Sequence, residues 1–289
     1  MNKTAVTIIV SVYNVEQYLK ECLDSIKNQS FTLPYQVILV DTNSSDNSGN
    51  IAKEYASKYS NFYYYRYEIN RGVSLTRNIG ISLAIGEYLS FVDGDDLLSP
   101  DFLSILYKKA KDTSADVVTG GYFMYGKKTK KGYSCTSYKG NGSYVLKKLY
   151  KSLFMKYRAF CWGRLYRRSL LNENKILFST ELKSYEDFLF INEVMIHSEK
   201  VVFLKECLYY YRQRQGSIMS TSKGRTENHL KAILLSEKYI SKENKKLHDK
   251  IFTYPSLAMK LQISFDAKME KEDKKSYIKK LKDIYRSSK

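Results

Sequence analysis

The chain has 289 residues, 43% of them hydrophobic, with only three Pro and 14 Gly; this argues against a disordered or low-complexity chain and allows a sizeable core in one large domain or two intimate ones. The formal net charge is +18, which points either to a negatively charged partner (nucleic acid, anionic lipid or a phosphorylated substrate) or to lysines spread over solvated faces. The four cysteines form no C-x-x-C pair and the three histidines no motif, which argues against a zinc site and a His-based triad.

The N-terminal part alternates strand and helix patterns. Val6 to Val12 is β-branched and nearly all apolar, as a buried parallel strand is. Glu16 to Asn28 places Leu19, Cys22, Leu23 and Ile26 at helical spacing. Gln36 to Val40 reads as a second buried strand ending at Asp41. Asn43 to Asp46 supplies capping residues for a helix through Tyr59. An aromatic strand over Phe62 to Tyr67, a helix over Val73 to Ala84 and a strand over Tyr88 to Val92 follow. Ser99-Pro100 predicts a helix start with Ser as N-cap and Pro at the first position, the helix running to Lys111. Asp116 to Tyr125 is a further strand. This order predicts an α/β fold: an open, mostly parallel sheet with helices on both faces.

Beyond Gly126 the pattern loosens. Lys127 to Gly142 reads as an exposed hairpin or loop, Tyr144 to Tyr157 as helix, Ser184 to His197 as an amphipathic helix and Val201 to Tyr211 as a strand. From Thr226 the chain is helical and Lys-rich, and about half of the excess charge lies after Ser222. Leu230, Ile233 and Leu234 form an apolar stripe there, for packing on the main domain or for docking on a lipid surface. No basic segment followed by a long apolar one opens the chain, and no run approaches ~18 apolar residues, so neither a signal peptide nor a membrane span is expected.

In an open α/β sheet, ligands sit at the carboxyl ends of the strands. Those ends carry Ser11 and Tyr13, Asp41 to Ser45, and Asp93 to Asp96. Neither G-x-G-x-x-G nor a P-loop is present. Asp93-Gly94-Asp95-Asp96 places three mutually repelling carboxylates at a strand end; a divalent cation would neutralise them, and a turn with a helix cap is the alternative. Asp41 can accept a hydrogen bond from a base while Tyr13 offers a ring for stacking, or Asp41 can close an Asx turn. Arg71 and Arg77, near a helix start, suit phosphate or surface salt bridges. Glu186-Asp187 in a first helical turn complements the dipole or supplies a general base.

Taken in order, these blocks resemble the family 2 glycosyltransferases of GT-A fold. The resemblance rests on Val6 to Asn14, Tyr18 to Ile26, Asp41 to Ser48, Gly72 to Gly80, Gly86 to Tyr88, Phe91 to Asp96, Trp162 to Arg168, Tyr185 to Asp187 and Tyr209 to Ile218. It implies a nucleotide-sugar-binding region over 1–125, an acceptor and catalytic-base region of the same domain over 126–222, and a basic helical extension over 223–289. By resemblance Ser11, Tyr13 and Asp41 hold the base, usually uracil, and Arg71 and Arg77 belong with the nucleotide. Asp93 serves the ribose or the metal shell, Asp95 binds Mn2+ or Mg2+, and Asp96 supports the loop. Asp187 is the general base with Glu186 beside it, while Trp162, Arg212, Arg214 and Ser217 serve the diphosphate or acceptor. Three positions depart from the family. Thr42 stands where a second acid is frequent, Asn43 where Gly is frequent, and Gly94 where Ser is common; the Gly94 exchange is expected to change little.

The expected activity is inverting transfer from a nucleotide sugar, a UDP-sugar first, to a glycan or lipid-linked glycan acceptor in cell-envelope, capsule or exopolysaccharide synthesis. The expected place is the cytoplasm, at the inner face of the cell membrane, whose anionic surface is a candidate partner of the basic helices. A nucleotidyltransferase making a sugar nucleotide is the first alternative; Tyr13-Asn14 supplies no phosphate-gripping loop for it. A non-enzymatic polyanion-binding protein is the second, but the lysines of 271–282 are interleaved with acids, so nucleic acid is not the expected partner. A glycoside hydrolase is a weaker alternative still.

Overall fold

The computed structural model describes residues 3–126, 130–134, 137–151, 160–213 and 225–252. Strands β1 (Val6–Val12), β2 (Tyr35–Asp41), β3 (Phe62–Arg66) and β4 (Tyr88–Asp93) alternate with helices α1 (Glu16–Lys27), α2 (Ser48–Lys58) and α3 (Val73–Leu83). They lie side by side in the order β3-β2-β1-β4, all parallel. The chain runs outward from β1 to β3 and then returns to the other side of β1. A crevice therefore opens at the carboxyl ends of β1 and β4, where Ser11 and Asp93 are register partners.

Period-2 alternation assigns the two faces. Ile8, Val10, Val37, Leu39 and Val92 pack under α1 and α2, together with α4 (Phe102–Thr113). Ile9, Ile38, Val40, Leu89 and Phe91 face the opposite way, under α3 and the later helices. Both sides of each strand are buried, which is why β1 and β2 show runs of apolar residues rather than alternation. Helix α3 lies very close to β1: a Cβ on Gly80 would sit 2.2 Å from Cγ2 of Ile9, so only Gly allows this approach.

The second half of the sheet is mixed rather than parallel. β5 (Leu97–Leu98), β6 (Val117–Tyr125), β7 (Lys130–Tyr133), β8 (Tyr138–Gly140), β9 (Arg164–Arg167) and β10 (Val201–Arg212) extend it. β9 lies antiparallel between β4 and β6, and β6 pairs parallel with β10. The segment read as an exposed hairpin or loop after Gly126 includes β7, paired antiparallel with β6 as in a hairpin, and β8, paired antiparallel with β10.

Three helix expectations change, and a fourth is met as far as it is described. The helix after β4 starts at Phe102 with Asp101 as N-cap, because Ser99 and Pro100 are engaged elsewhere: Ser99 N–H donates to Leu208 O and Pro100 O accepts from Ser30 N–H. The Asn43–Asp46 segment stays a loop, and α2 begins at Ser48. Helix α5 (Gly142–Lys151) covers the start of the segment expected through Tyr157; the rest lies outside the described residues. Helix α7 (Glu186–His197) is not amphipathic: Phe188 to Asn192, Val194 and Met195 are all buried, since it lies between the sheet and α8 (Arg225–Glu243). The short α6 (Arg168–Glu173) precedes it.

Ile233 of α8 and Leu247 of α9 (Lys245–Phe252) join the core under α7, while Leu234 is half-buried and the side chain of Leu230 lies outside the described residues. Lys231, Lys238, Lys242, Lys245 and Lys246 face outward. Among the described residues no helix is long and apolar enough to cross a membrane. Cys22, Cys161 and Cys207 are free thiols.

Candidate active site

The loop after β1 and the loop after β2 are stitched into one unit. Asn14, left-handed at φ 49°, accepts Ser45 N–H on its Oδ1 at 2.9 Å and donates its own N–H to Ser44 Oγ at 3.2 Å. Val15 N–H donates to Ser48 Oγ, Glu16 N–H to Asp46, and Asn47 N–H to Glu16. This fixes the strand ends that carry Ser11, half-buried, and Tyr13, whose ring is 47% exposed beside the crevice.

Asp41 lies below that surface. Its carboxylate is fully buried; Oδ1 accepts Ser44 N–H at 2.9 Å, and Oδ2 accepts Tyr64 O–H at 2.8 Å and Arg66 Nη1–H at 3.2 Å. The structure thus realises the Asx turn, and no oxygen of Asp41 faces the open crevice for a base. Asn43 takes the left-handed conformation (φ 64°) in place of Gly and accepts Arg66 Nη2–H. Thr42 is buried beneath the loop. Tyr64 and Arg66, which anchor Asp41, were not singled out from sequence; the signal available was a charged residue closing an aromatic strand.

The Asp93–Asp96 loop divides its carboxylates by role. Asp96 is fully buried: Oδ2 accepts Tyr209 O–H at 2.7 Å and Oδ1 accepts Arg212 N–H at 2.7 Å, which ties the loop to β10. Burial, reinforced by Asp95 and Asp93, pushes its pKa well above the ordinary carboxylate range. The Tyr209 hydroxyl oxygen also accepts Asp93 N–H at 3.3 Å. Arg212 is clamped here as well: Nε donates to Asp95 O, Nη2 pairs with Glu21, and the guanidinium lies 5.0 Å from the rings of Tyr18 and Tyr125. The expected diphosphate role is therefore not the one this geometry displays; Arg212 holds the loop. Gly94 fits where Ser would not, since a Cβ would lie 2.8 Å from Ser11 O. The Gly94 exchange therefore does matter, contrary to the sequence reading.

Asp93 and Asp95 remain the carboxylates beside the crevice, each partly exposed. They offer hard oxygen donors, and among the described residues no group of three or more His, Cys, Asp or Glu encloses a metal ion. Such a donor set suits a cation that keeps waters and substrate phosphate oxygens, as Mg2+ and Mn2+ do, rather than a closed structural site.

The acid pair reaches the same place although Asp187 lies 110 residues beyond Arg77. Tyr185 caps α7 in the left-handed conformation (φ 64°), one that a bulky residue adopts only when its surroundings impose it. The turn aims Glu186 and Asp187 at Arg77 of α3. Nη1 of Arg77 donates to Asp187 Oδ1 at 2.6 Å and to Glu186 Oε1 at 3.0 Å, and Nη2 donates to Asp93 Oδ1 at 3.0 Å. Asp187 Oδ2 accepts Cys161 N–H at 3.2 Å. The guanidinium rests 5.1 Å from the Phe178 ring centroid, and its side chain is 4% exposed. Burial works against its charge but is outweighed by Asp187, Asp93 and Glu186, so its pKa stays above the ordinary value. Glu186 is pushed up to about 7 by burial and by Asp187, against the pull of Arg77. Arg77 is thus a buried hub among carboxylates, not an arginine presented to phosphate. Arg71 stands exposed in the loop before α3.

Trp162 is nearly buried, stacked on Tyr209 at 4.6 Å and on Phe160 at 4.5 Å, with Tyr211 at 5.3 Å. It backs Tyr209, the anchor of the Asp93–Asp96 loop, instead of lining open space. Arg214 and Ser217 lie outside the described residues.

The model of Glycosyl transferase family 2 matches residues 7–174, a stretch that holds both the crevice and the Asp93 loop. The chain belongs to glycosyltransferase family 2. Its relatives include the glycosyltransferase GlyA of Streptococcus pneumoniae serotype 4, 34% identical over 74% of this chain and 31% of GlyA. Another is the poly(ribitol-phosphate) beta-glucosyltransferase of Bacillus spizizenii, 33% identical over 77% of this chain and 34% of that protein. The chain thus spans about a third of the length of each of these two relatives. Among solved structures, S. aureus TarS 1-349 in complex with UDP-GlcNAc superposes with a TM-score of 0.78 at 25% identity, over 97% of this chain and 80% of that one. This family member therefore has the GT-A fold, with its mixed sheet between two helical layers.

Proposed function

We propose that the protein is an inverting glycosyltransferase that moves a sugar from a UDP-sugar to a hydroxyl of a glycan or lipid-linked glycan. The observation that carries this reading is that one guanidinium spans Asp93 of the β4 loop and Asp187 of α7. A donor diphosphate at the first and an acceptor hydroxyl at the second would be neighbours, as a direct displacement requires.

Tyr13 supplies a ring face and Ser11 a hydroxyl for the nucleoside, over the floor that Asp41 stiffens. Asp95, with Asp93, would hold Mn2+ or Mg2+, which when bound supplies Lewis-acid neutralisation of the departing diphosphate. Asp187 takes the proton of the acceptor hydroxyl; the oxygen attacks the anomeric carbon as the bond to the diphosphate oxygen breaks and its electron pair stays with the nucleotide. No protein nucleophile is needed, which suits a site built of carboxylates and one buried arginine. Glu186 lies beneath Asp187, and its expected role beside the acceptor becomes one of tuning the charge around the base.

The UDP-GlcNAc complex of TarS supports a UDP-sugar as donor, and the poly(ribitol-phosphate) beta-glucosyltransferase supports a polymeric acceptor. The decisive experiment is release of nucleoside diphosphate from UDP-, GDP- and dTDP-sugars with Mn2+, Mg2+ or EDTA. Metal-dependent release from one donor, lost in Asp95→Ala, is the expected result. Release of pyrophosphate would favour a nucleotidyltransferase instead.

A further inference from the structure

We infer that Arg77 is a positioning residue that couples the donor side of the site to the acceptor side, because it competes with the donor and its cation for Asp93. The inference rests on the donor-site reading above. Three observations carry it. The guanidinium is closed off, so a phosphate has no approach to it. Its Nε is buried without a hydrogen-bond partner, so its position is dictated by the carboxylates on Nη1 and Nη2 and by the Phe178 ring. Its partners come from two separate elements, the end of β4 and the first turn of α7.

Asp93 Oδ1 is therefore claimed from two directions: by Nη2 of Arg77 from within, and by whatever cation binds Asp95 from the crevice. As Asp93 turns outward, Arg77 loses one of its three anionic partners, and its remaining charge falls on Asp187 and Glu186. Occupancy of the donor site then changes the hold on the carboxylate that faces the acceptor. Such a linkage is reciprocal, so weakening the inner claim on Asp93 must strengthen the outer one. A phosphate-binding arginine behaves in the opposite way, since its removal weakens nucleotide binding.

The test is calorimetric titration of UDP in the presence of Mn2+, beside steady-state turnover, on wild type, Arg77→Gln and Arg77→Lys. Arg77→Gln is expected to bind UDP with Mn2+ about threefold tighter or more, because an opposing charge has left the immediate neighbourhood of Asp93. Arg77→Lys keeps the charge but cannot bridge three carboxylates at once. It is expected to fold, with kcat lowered about 100-fold and donor KM not raised, as displacement of a positioned base produces. UDP affinity unchanged or weakened in a folded Arg77→Gln overturns the inference. If Arg77→Gln does not fold, Arg77→Lys decides: an unchanged kcat, or a rise in donor KM matching the fall in kcat, overturns it. Wild type without metal-dependent UDP binding overturns the donor-site reading itself, and the inference with it.

Discussion

Arg77 and Asp187 meet at 2.6 Å although 110 residues separate them, and the other terminal nitrogen of the same guanidinium reaches Asp93 at 3.0 Å. One cation thereby joins the strand end that would hold the donor to the helix start that would hold the base. Several outcomes depend on this arrangement.

Asp187→Asn keeps the shape and the Cys161 N–H contact but removes the proton acceptor. Turnover should fall by about 100- to 10,000-fold. Steady-state kinetics with the identified donor checks this, and activity within twofold of wild type would remove Asp187 from its assigned role.

Tyr209→Phe deletes the hydroxyl that donates to buried Asp96 and accepts from Asp93 N–H. Leaving Asp96 with one fewer donor should lower stability by about 1–3 kcal/mol. Loosening of the loop should also weaken metal-dependent UDP binding. Chemical denaturation and UDP titration measure the two effects separately.

Gly80→Ala pushes a methyl group against Ile9 and forces α3, and Arg77 with it, away from β1. The expected loss is about 1–3 kcal/mol of stability, with reduced turnover. A thermal midpoint equal to wild type would show that α3 can shift without strain.

Glu193 on α7 is pushed up to about 7 by burial and by Glu243 of α8. A carboxyl whose pKa is raised on folding binds its proton more tightly in the folded state. Its stabilising contribution is then complete below the unfolded value near 4.5 and is lost as pH rises through about 7. Glu193→Gln should flatten this decline and be more stable than wild type at pH 8, by at most about 3 kcal/mol. Parallel denaturation curves at pH 4 and pH 8 test it; an equal difference at both pH values would contradict it.

Much of the site was legible before any coordinates. The strand ends at Val12, Asp41 and Asp93 follow from short apolar runs closed by polar residues, because a strand buried on both faces must be apolar until it reaches solvent. Asn43 in the left-handed conformation follows from the backbone tolerance of Asn. Other readings failed where a local pattern met a distant partner. Ser99-Pro100 has the chemistry of a helix start, yet Leu208 and Ser30 claim its backbone groups, and the helix begins at Phe102. The hairpin reading of the segment after Gly126 held for β6 and β7, a short edge strand having side chains that need not be apolar.

The sequence by itself determined the first four strands with the helices between them, the placing of ligands at the strand ends and the two acidic groups, since each depends on periodicity or composition over a few neighbouring residues; the strand order β3-β2-β1-β4 came with the structure. Only the tertiary structure decided what each charged group does. Asp96 and Arg212 became anchors, Asp41 a floor and Arg77 a hub, because a buried ionisable group takes its role from the partners that satisfy it. Here those partners stand as far as 191 residues away, on strands and helices that meet only when the antiparallel β9 and helix α7 close the second half of the sheet.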